Sequence, residues 1–433
     1  MTATRRVQNA DSLATTTLRS DALDIIEAGY EAINTKSAVA RKVRLDGEML
    51  VANDIRVSVQ GRRIFFVGVG KCAAAAAEAL EGILGERITG GIALDVAIPP
   101  LCKTERIECI LGTHPSPSEV NANGTKRIIE MLSGLEEGDL AITLVSGGGS
   151  TLLCSPTGSL TCLSESALLG ELFRRGATIQ EINTLRKHIS LARGGGLAKA
   201  AYPAEVLGLV ISDVPGNDLS FIASGPTVRD ETTIADAMVV IKGHGLSGIS
   251  EGDLAETPKE EMYFKRVHNT LLVSNRDALE AMKGMASERG YSAEIVIDEL
   301  TGEAKDAARE VLARLRAASA KSAHLYGGET TVALGSSDGI GGRCQEFALA
   351  LLDGVAEDEI IVPFSSDGRD NSDAAGAIAD TVSASHADEL GVSAGVYLRE
   401  HRSYDFFKET GDALKTGYTG SNVSDLIVAL KAQ

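Results

Sequence analysis

The sequence predicts an α/β protein of two domains, and three observations carry that prediction. Short β-branched runs alternate with Ala- and Leu-rich segments along most of the chain. Each clear strand leads into a turn rich in Gly, Ser or Pro, the alternation expected of a largely parallel sheet with helices on its faces. The pattern breaks once, between about Val239 and Lys265, where Gly- and Glu-rich sequence from Gly243 to Glu261 offers no strand. A chain of 433 residues is too long for one typical core. The division is therefore drawn at that break, giving domains of residues 1–245 and 246–433.

Taken in order, a helix-period pattern runs through Leu23, Ile26, Ala28 and Ile33. Strands are predicted at Ile64–Val69, Ile92–Ala97, Ile107–Leu111, Leu140–Val145 and Val206–Ile211, with a helix over Ala73–Leu84. Beyond the break, Thr270–Val273, Ala293–Ile297, Ala323–Tyr326 and Ile360–Phe364 are predicted strands, with helices over Asp277–Glu288 and Glu303–Ala318. Turns at the carboxyl ends of such strands are where ligands bind in open α/β sheets.

Apolar residues make up 44% of the chain and charged residues 24%, an ordinary globular balance. The formal charge of −18 repels nucleic acid and anionic membranes, so an anionic substrate needs local cations. Met1–Ser20 has polar residues where a signal peptide needs an apolar stretch, and no run reaches transmembrane length. Cys72, Cys102, Cys109, Cys154, Cys162 and Cys344 form no C-x-x-C or zinc-like pattern and are expected to be reduced thiols in a cytoplasmic protein.

Five blocks carry candidate chemistry. Gly68-Val69-Gly70-Lys71-Cys72-Ala73 fits G-x-G-x-x-A, with Asp95 25 residues past Gly70 where a ribose-binding acid can stand. Lys71 favours capture of a carboxylate or phosphate instead, since a cation there adds to the positive end of the following helix. Ser146-Gly147-Gly148-Gly149-Ser150 follows a buried-looking strand, and its glycines allow a concavity of N–H groups suited to phosphate oxygens. In the third block, Asn183 to Thr227, Asp213 and Asp218 flank Pro215-Gly216, and either suits Mg²⁺ or closes an Asx turn. His188, in the same block, is read as a solvated or capping histidine.

The fourth block joins Gly327-Gly328-Glu329-Thr330-Thr331 to Gly341-Gly342-Arg343. Arg343 at a helix N-terminus offers a planar fork for a carboxylate or a transferring phosphoryl group, or else pairs with Glu346 on the same helix. The last comprises Ser366–Ala377 and Thr416–Asp425, loops rich in Gly, Asp and Thr that offer nucleotide or metal contacts, or turns alone.

In this order the blocks resemble the glycerate 2-kinase family, sometimes labelled hydroxypyruvate reductase, from about Leu18 to Leu430. The resemblance implies a Rossmann-like N-terminal domain and a smaller C-terminal α/β domain flanking an active-site cleft. It implies transfer of the γ-phosphoryl group of ATP to the 2-hydroxyl of D-glycerate, with Mg²⁺ as the accompanying ion. Lys71 and Arg343 then bind substrate and act in catalysis. Ser146 is expected to bind substrate, and Gly147, Gly148, Gly149, Ser150, Gly216 and Glu329 to bind ATP. Asp213 is expected as metal ligand or catalytic carboxylate, and Asp218 as metal ligand. Partners are a small hydroxy-acid and ATP, with no nucleic acid or membrane, and a homo-oligomer is left open. Asn217, Arg369, Asn371, Cys344, Arg402 and Tyr418 depart from the usual family pattern, which leaves room for a longer sugar acid as acceptor. A nicotinamide-dependent hydroxypyruvate reductase is the competing enzyme class.

Overall fold

The computed structural model describes residues 5–98, 102–335 and 337–433. The chain divides into two compact units, one of Thr35–Leu272 and one that joins the N-terminal segment up to Asn34 to Val273–Gln433.

The Thr35–Leu272 unit is built on a sheet in the order Ile107–Leu111, Ile88–Asp95, Ile64–Val69, Leu140–Val145, Glu205–Ile211 and Val267–Val273. The first five strands pair in parallel. Leu140–Val145 is buried at all six positions, as a strand covered on both faces requires, and so carries an unbroken apolar run. Strand order reverses between Ile64–Val69 and Leu140–Val145: the chain first builds outward on one side, then returns and builds on the other. Helices Ala73–Leu84 and Glu119–Ser133 cross between these strands. A small antiparallel sheet of Val43–Asp46, Met49–Ala52 and Ile55–Ser58 precedes them and was not predicted.

The other unit has a six-stranded sheet in the order Ser292–Leu300, Ser322–Gly328, Asp425–Lys431, Glu359–Ser365, Gly376–Ala377 and Ala413–Leu414. Its first two strands are parallel, but the last strand of the chain, Asp425–Lys431, lies antiparallel between Ser322–Gly328 and Glu359–Ser365. The largely parallel arrangement expected from the sequence therefore holds for the first unit and not for the second.

The N-terminal helix Thr17–Ile33 packs within this second unit, which differs from the predicted continuous division at 245/246. Thr16 caps the helix by accepting from the Arg19 N–H. The helix lies close against Asn275–Glu288, since a Cβ at Gly29 would stand 2.9 Å from the Met282 side chain. Arg19, 1% exposed, donates to Asp380 at 2.6 and 2.7 Å and pairs with Asp412 at 2.9 Å. At the other end, the Gly- and Glu-rich stretch is not a linker. Asp253 accepts from the N–H and hydroxyl of Ser159, and the Ala255 N–H donates to His188 O, so the stretch is folded onto the first unit. Val267–Val273 then adds a further strand to its sheet.

The six cysteines do not all stay reduced, contrary to expectation: Cys154 and Cys162 form a disulfide. The turn between the short helix Gly149–Leu152 and the helix Cys162–Arg174 brings the two Cα atoms to 6.1 Å. A spacing of eight residues falls outside the short patterns by which paired cysteines are read from sequence. Among the described residues no helix is long and apolar enough to cross a membrane.

Removing one partner of a buried charge cluster strands the others. Arg19→Ala is expected to lower the unfolding free energy of the unit that contains it by about 3–5 kcal/mol, read from urea titrations followed by circular dichroism.

Candidate active site

Two of the sequence blocks meet at the point where strand order reverses. Gly70 has φ 126°, and a Cβ there would lie 2.1 Å from Ser146 Oγ and 2.6 Å from Ser146 O. Only glycine lets the first turn approach the second this closely. The contact is closed by hydrogen bonds from Ser146 N to Val69 O and from Lys71 N to Gly147 O, both 2.9 Å. Gly148, at φ 80°, sits under the Lys71 side chain: a Cβ there would be 3.2 Å from Lys71 Cγ and 3.4 Å from His114 Cδ2. The N–H groups of Gly147, Gly148 and Ser150 meet no acceptor among the described residues, which leaves a small donor-lined surface beside a lysine. The Ser150 hydroxyl lies 3.0 Å from that of Ser224.

Asp95 does not stand as a ribose acid. Its carboxylate accepts from Ala74 N at 2.9 Å, Val96 N at 2.6 Å and Ala97 N at 3.2 Å, and the residue is 1% exposed. Burial pushes this carboxyl up to about 6, while the N–H donors pull the other way. The start of helix Ala73–Leu84, where a dinucleotide would rest its pyrophosphate, is occupied by the chain's own carboxylate. What Lys71 brings to an anion is consequently its ammonium group rather than the helix N-terminus.

Asp213 follows strand Glu205–Ile211 and is half-buried. Burial, chiefly, raises the neighbouring Cys72 thiol to about 12, and Asp213 adds to that rise, so its charge is felt at the Gly70–Cys72 turn. Asp218 is exposed and accepts from the Ser220 N–H at 2.8 Å, closing the Asx turn that was its alternative reading. Between them Gly216 has φ 77° and Asn217 φ 55°, left-handed positions that Asn tolerates well. Among the described residues no three His, Cys, Asp or Glu side chains gather as a metal cluster. Mg²⁺ beside a nucleotide needs only one or two carboxylates with phosphate oxygens and water, so Asp213 fits that modest requirement.

In the second unit, strand pairing sets Gly328 and Ser365 opposite Asp425, which brings the fourth and last sequence blocks to one end of the strands. Arg343, at the start of helix Arg343–Leu349, donates from Nε to Asp425 at 2.9 Å and from Nη1 to Glu329. Burial lowers its pKa, but Asp425 and Glu329 more than offset this and hold the guanidinium charged. Burial in turn pushes the Asp425 carboxyl up to about 7 against the pull of Arg343. Glu346 is not the arginine's partner; it accepts from His401 Nδ1 at 2.8 Å. Asp370 takes the Gln345 N–H at 2.8 Å and the Cys344 N–H at 3.2 Å, so it serves the helix N-terminus rather than a nucleotide or metal. Gly342 makes room for it, since a Cβ there would be 2.1 Å from Asp370 Oδ1.

Two departures from the family pattern meet each other. The Arg369 guanidinium stacks on the Tyr418 ring at 5.4 Å, joining the two Gly-, Asp- and Thr-rich loops. Those loops are also tied by Thr419 Oγ1 to Ser366 O at 2.6 Å and by Val423 N to Ser366 Oγ at 2.8 Å. Asn371 has φ 52°, and Arg402 pairs with Asp405 at 2.9 Å. His114 was missed by sequence reasoning, and no motif marks it. Asp425 was read only as the end of a loop, although a carboxylate just before the apolar run Leu426–Leu430 signals a strand edge.

A family model described as a domain of unknown function, DUF4147, matches residues 21–254, and one described as the MOFRL family matches residues 322–425. The chain is 34% identical over 430 residues to the D-glycerate 2-kinase of Thermotoga maritima, covering 95% of this chain and 98% of that protein. It is 37% identical to a putative hydroxypyruvate reductase of Agrobacterium vitis, over 88% of this chain and 90% of the other. The crystal structure of Thermotoga maritima glycerate kinase superposes with a TM-score of 0.83 at 32% identity, covering 96% of this chain and all of that one. An α/β fold with ligand turns at the strand ends, and likeness along nearly its whole length, define the class. The chain belongs to the glycerate 2-kinase family.

Two outcomes test this geometry. Gly70→Ala forces a methyl group into the Ser146 carbonyl at a positive φ, and a loss of at least about 3 kcal/mol is expected in denaturant unfolding. For Asp95, a folded pKa near 6 lies above the unfolded value near 3.8, so its contribution to stability is full below about pH 4 and is lost as pH rises through 6. The stability advantage of wild type over Asp95→Asn is expected to shrink by about 1 kcal/mol between pH 5 and 7.5, and a constant difference counts against the buried carboxyl.

Proposed function

We propose that the protein transfers the γ-phosphoryl group of ATP to the 2-hydroxyl of D-glycerate, giving 2-phosphoglycerate and ADP. The observation that carries the reading is the pair of turns at the strand-order reversal, where open N–H groups of Gly147, Gly148 and Ser150 lie beside Lys71. Phosphoryl transfer asks mainly for positioning and for charge to meet charge. Backbone donors and an ammonium supply both without a covalent intermediate.

In this reading Gly147–Ser150, with Gly216 and Glu329, attend the nucleotide. Lys71 and Arg343 are the cations for the glycerate carboxylate and the migrating phosphoryl group, whereas Ser146, expected on the substrate, is wholly buried and shapes the turn instead. The new bond joins the acceptor 2-oxygen to the γ-phosphorus as the bond from that phosphorus to the β,γ-bridging oxygen breaks. The hydroxyl proton passes to a carboxylate, and Asp213 is the candidate for this role or, alternatively, for holding the metal. Mg²⁺, when bound with the nucleotide, neutralises phosphate charge, and Asp213 rather than the turn-closing Asp218 is its favoured ligand. A net charge of −18 makes these local cations necessary for two anionic substrates. Dependence on ATP fits a cytoplasmic enzyme. The reductase reading is disfavoured by Asp95, whose carboxylate sits where a dinucleotide pyrophosphate would lie.

A coupled ADP-release screen over C3 to C6 hydroxy-acids tests the acceptor, with D-glycerate expected to give the highest kcat/KM and ³¹P NMR to place phosphate on C2. Lys71→Ala and Arg343→Ala are each expected to lower kcat/KM at least about a hundredfold. Near-normal turnover in both variants sinks the assignment, and NADH oxidation with hydroxypyruvate in the absence of ATP sinks the kinase reading itself.

A further inference from the structure

Next to the glycine loop, wholly within the Thr35–Leu272 unit, lies a cavity of about 310 Å³ lined by Ser150, Thr151, Glu165, Leu169, Ile182 and Arg186. That volume is at the lower end of small-molecule sites. Ser150 and Thr151 directly follow the three glycines, so the cavity begins where the donor-lined surface ends.

Its polar groups are incompletely paired. The half-buried Arg186 side chain makes no hydrogen bond or ion pair among the described residues. Burial, with Arg193 nearby, lowers its pKa to about 10 against the opposing pull of the Glu165 carboxylate, which leaves it cationic at neutral pH. Glu165 is 2% exposed; one carboxylate oxygen accepts from Arg193 at 2.5 Å, and the other, Oε2, has no donor. Arg193 also donates to Ser150 O at 2.6 Å, which fixes the acidic wall to the glycine loop. A buried acceptor without a donor, and a desolvated cation held only by the distant pull of Glu165, are both costly unless a ligand completes them. Leu169 and Ile182 supply an apolar wall, and Phe173, 73% exposed, stands at its margin.

A cation, a waiting acceptor and an apolar face beside a phosphate-binding loop together match the parts of a nucleotide. We propose that this cavity holds the nucleoside end of the phosphoryl donor. The base lies against Leu169 and Ile182, the Arg186 fork meets phosphate oxygens, and Glu165 Oε2 accepts from a hydroxyl or amine of the nucleoside. The inference rests on the kinase reading above and adds the nucleotide's binding wall and its holding residue.

Gly170 gives a test that leaves the fold intact. It lines the cavity from within helix Cys162–Arg174, and a Cβ there meets only Arg174 Nη1, at 3.4 Å. Gly170→Leu therefore fills the cavity while improving helix propensity. Calorimetric titration with ADP is expected to show at least tenfold weaker binding in both Gly170→Leu and Arg186→Gln. Their melting temperatures should be maintained, and their KM for glycerate should stay within twofold of wild type. If wild type turns over ATP and both variants bind ADP as wild type does, the cavity is not the nucleotide site. If wild type binds ADP, both variants lose it and no acceptor is phosphorylated, the cavity assignment stands and the kinase reading fails. If wild type binds no ADP, both fall.

Discussion

The close approach of two turns, Gly70 against the Ser146 carbonyl, is the constraint on which the parallel-sheet unit depends. It exists because strand order reverses between Ile64–Val69 and Leu140–Val145, leaving their two exits side by side with no helix between them. A side chain at position 70 would drive the turns apart. With the turns joined, Lys71 lies over Gly148, His114 comes up beside it, and the glycine loop keeps donors free of internal partners. Each of these follows from topology first and residue type second.

Charge is handled in the same economical way throughout. The chain carries an excess of acid, and its important arginines are each buried or half-buried with carboxylates close by: Arg19 with Asp380 and Asp412, Arg193 with Glu165, Arg343 with Asp425 and Glu329. Such pairs add little net stability over apolar packing, but they fix where a planar fork points. Arg343 is thus oriented by its partners, whereas the Arg186 side chain makes no hydrogen bond among the described residues.

Much of the fold was legible because local pattern and tertiary role agree in it. Helix Ala73–Leu84 and strands Ile64–Val69, Ile107–Leu111 and Leu140–Val145 have the bounds the sequence predicts, since each is bracketed by turn chemistry. What escaped depends on distant partners. Nothing near Arg19 announces Asp380, so the N-terminal helix could not be assigned to the second unit. Nothing in Leu426–Leu430 announces that this run enters a sheet antiparallel between two strands formed long before. Asp95 stayed ambiguous for a related reason: spacing from a glycine turn suits a ribose acid and a helix-capping acid equally, and only the direction of its carboxylate separates them. The glycine loop and Arg343 were visible because their chemistry is local, while of the acids that hold Arg343 one, Glu329, lay in the same block unrecognised and the other, Asp425, in the last block.

The path of the chain has a consequence for how the protein comes into being. Helix Thr17–Ile33 is made before the Thr35–Leu272 unit, yet its ion-pair partners Asp380 and Asp412 are made after it. The Thr35–Leu272 unit is continuous and can fold during synthesis, while an amphipathic helix tethered to its start waits with its apolar face uncovered. Completion waits further for Asp425–Lys431, which fills the middle of the second sheet and brings the carboxylate that orients Arg343. The nascent protein thus acquires its glycine loop before its oriented arginine, so a chain terminated ahead of Asp425 would keep the loop and lack the aimed cation.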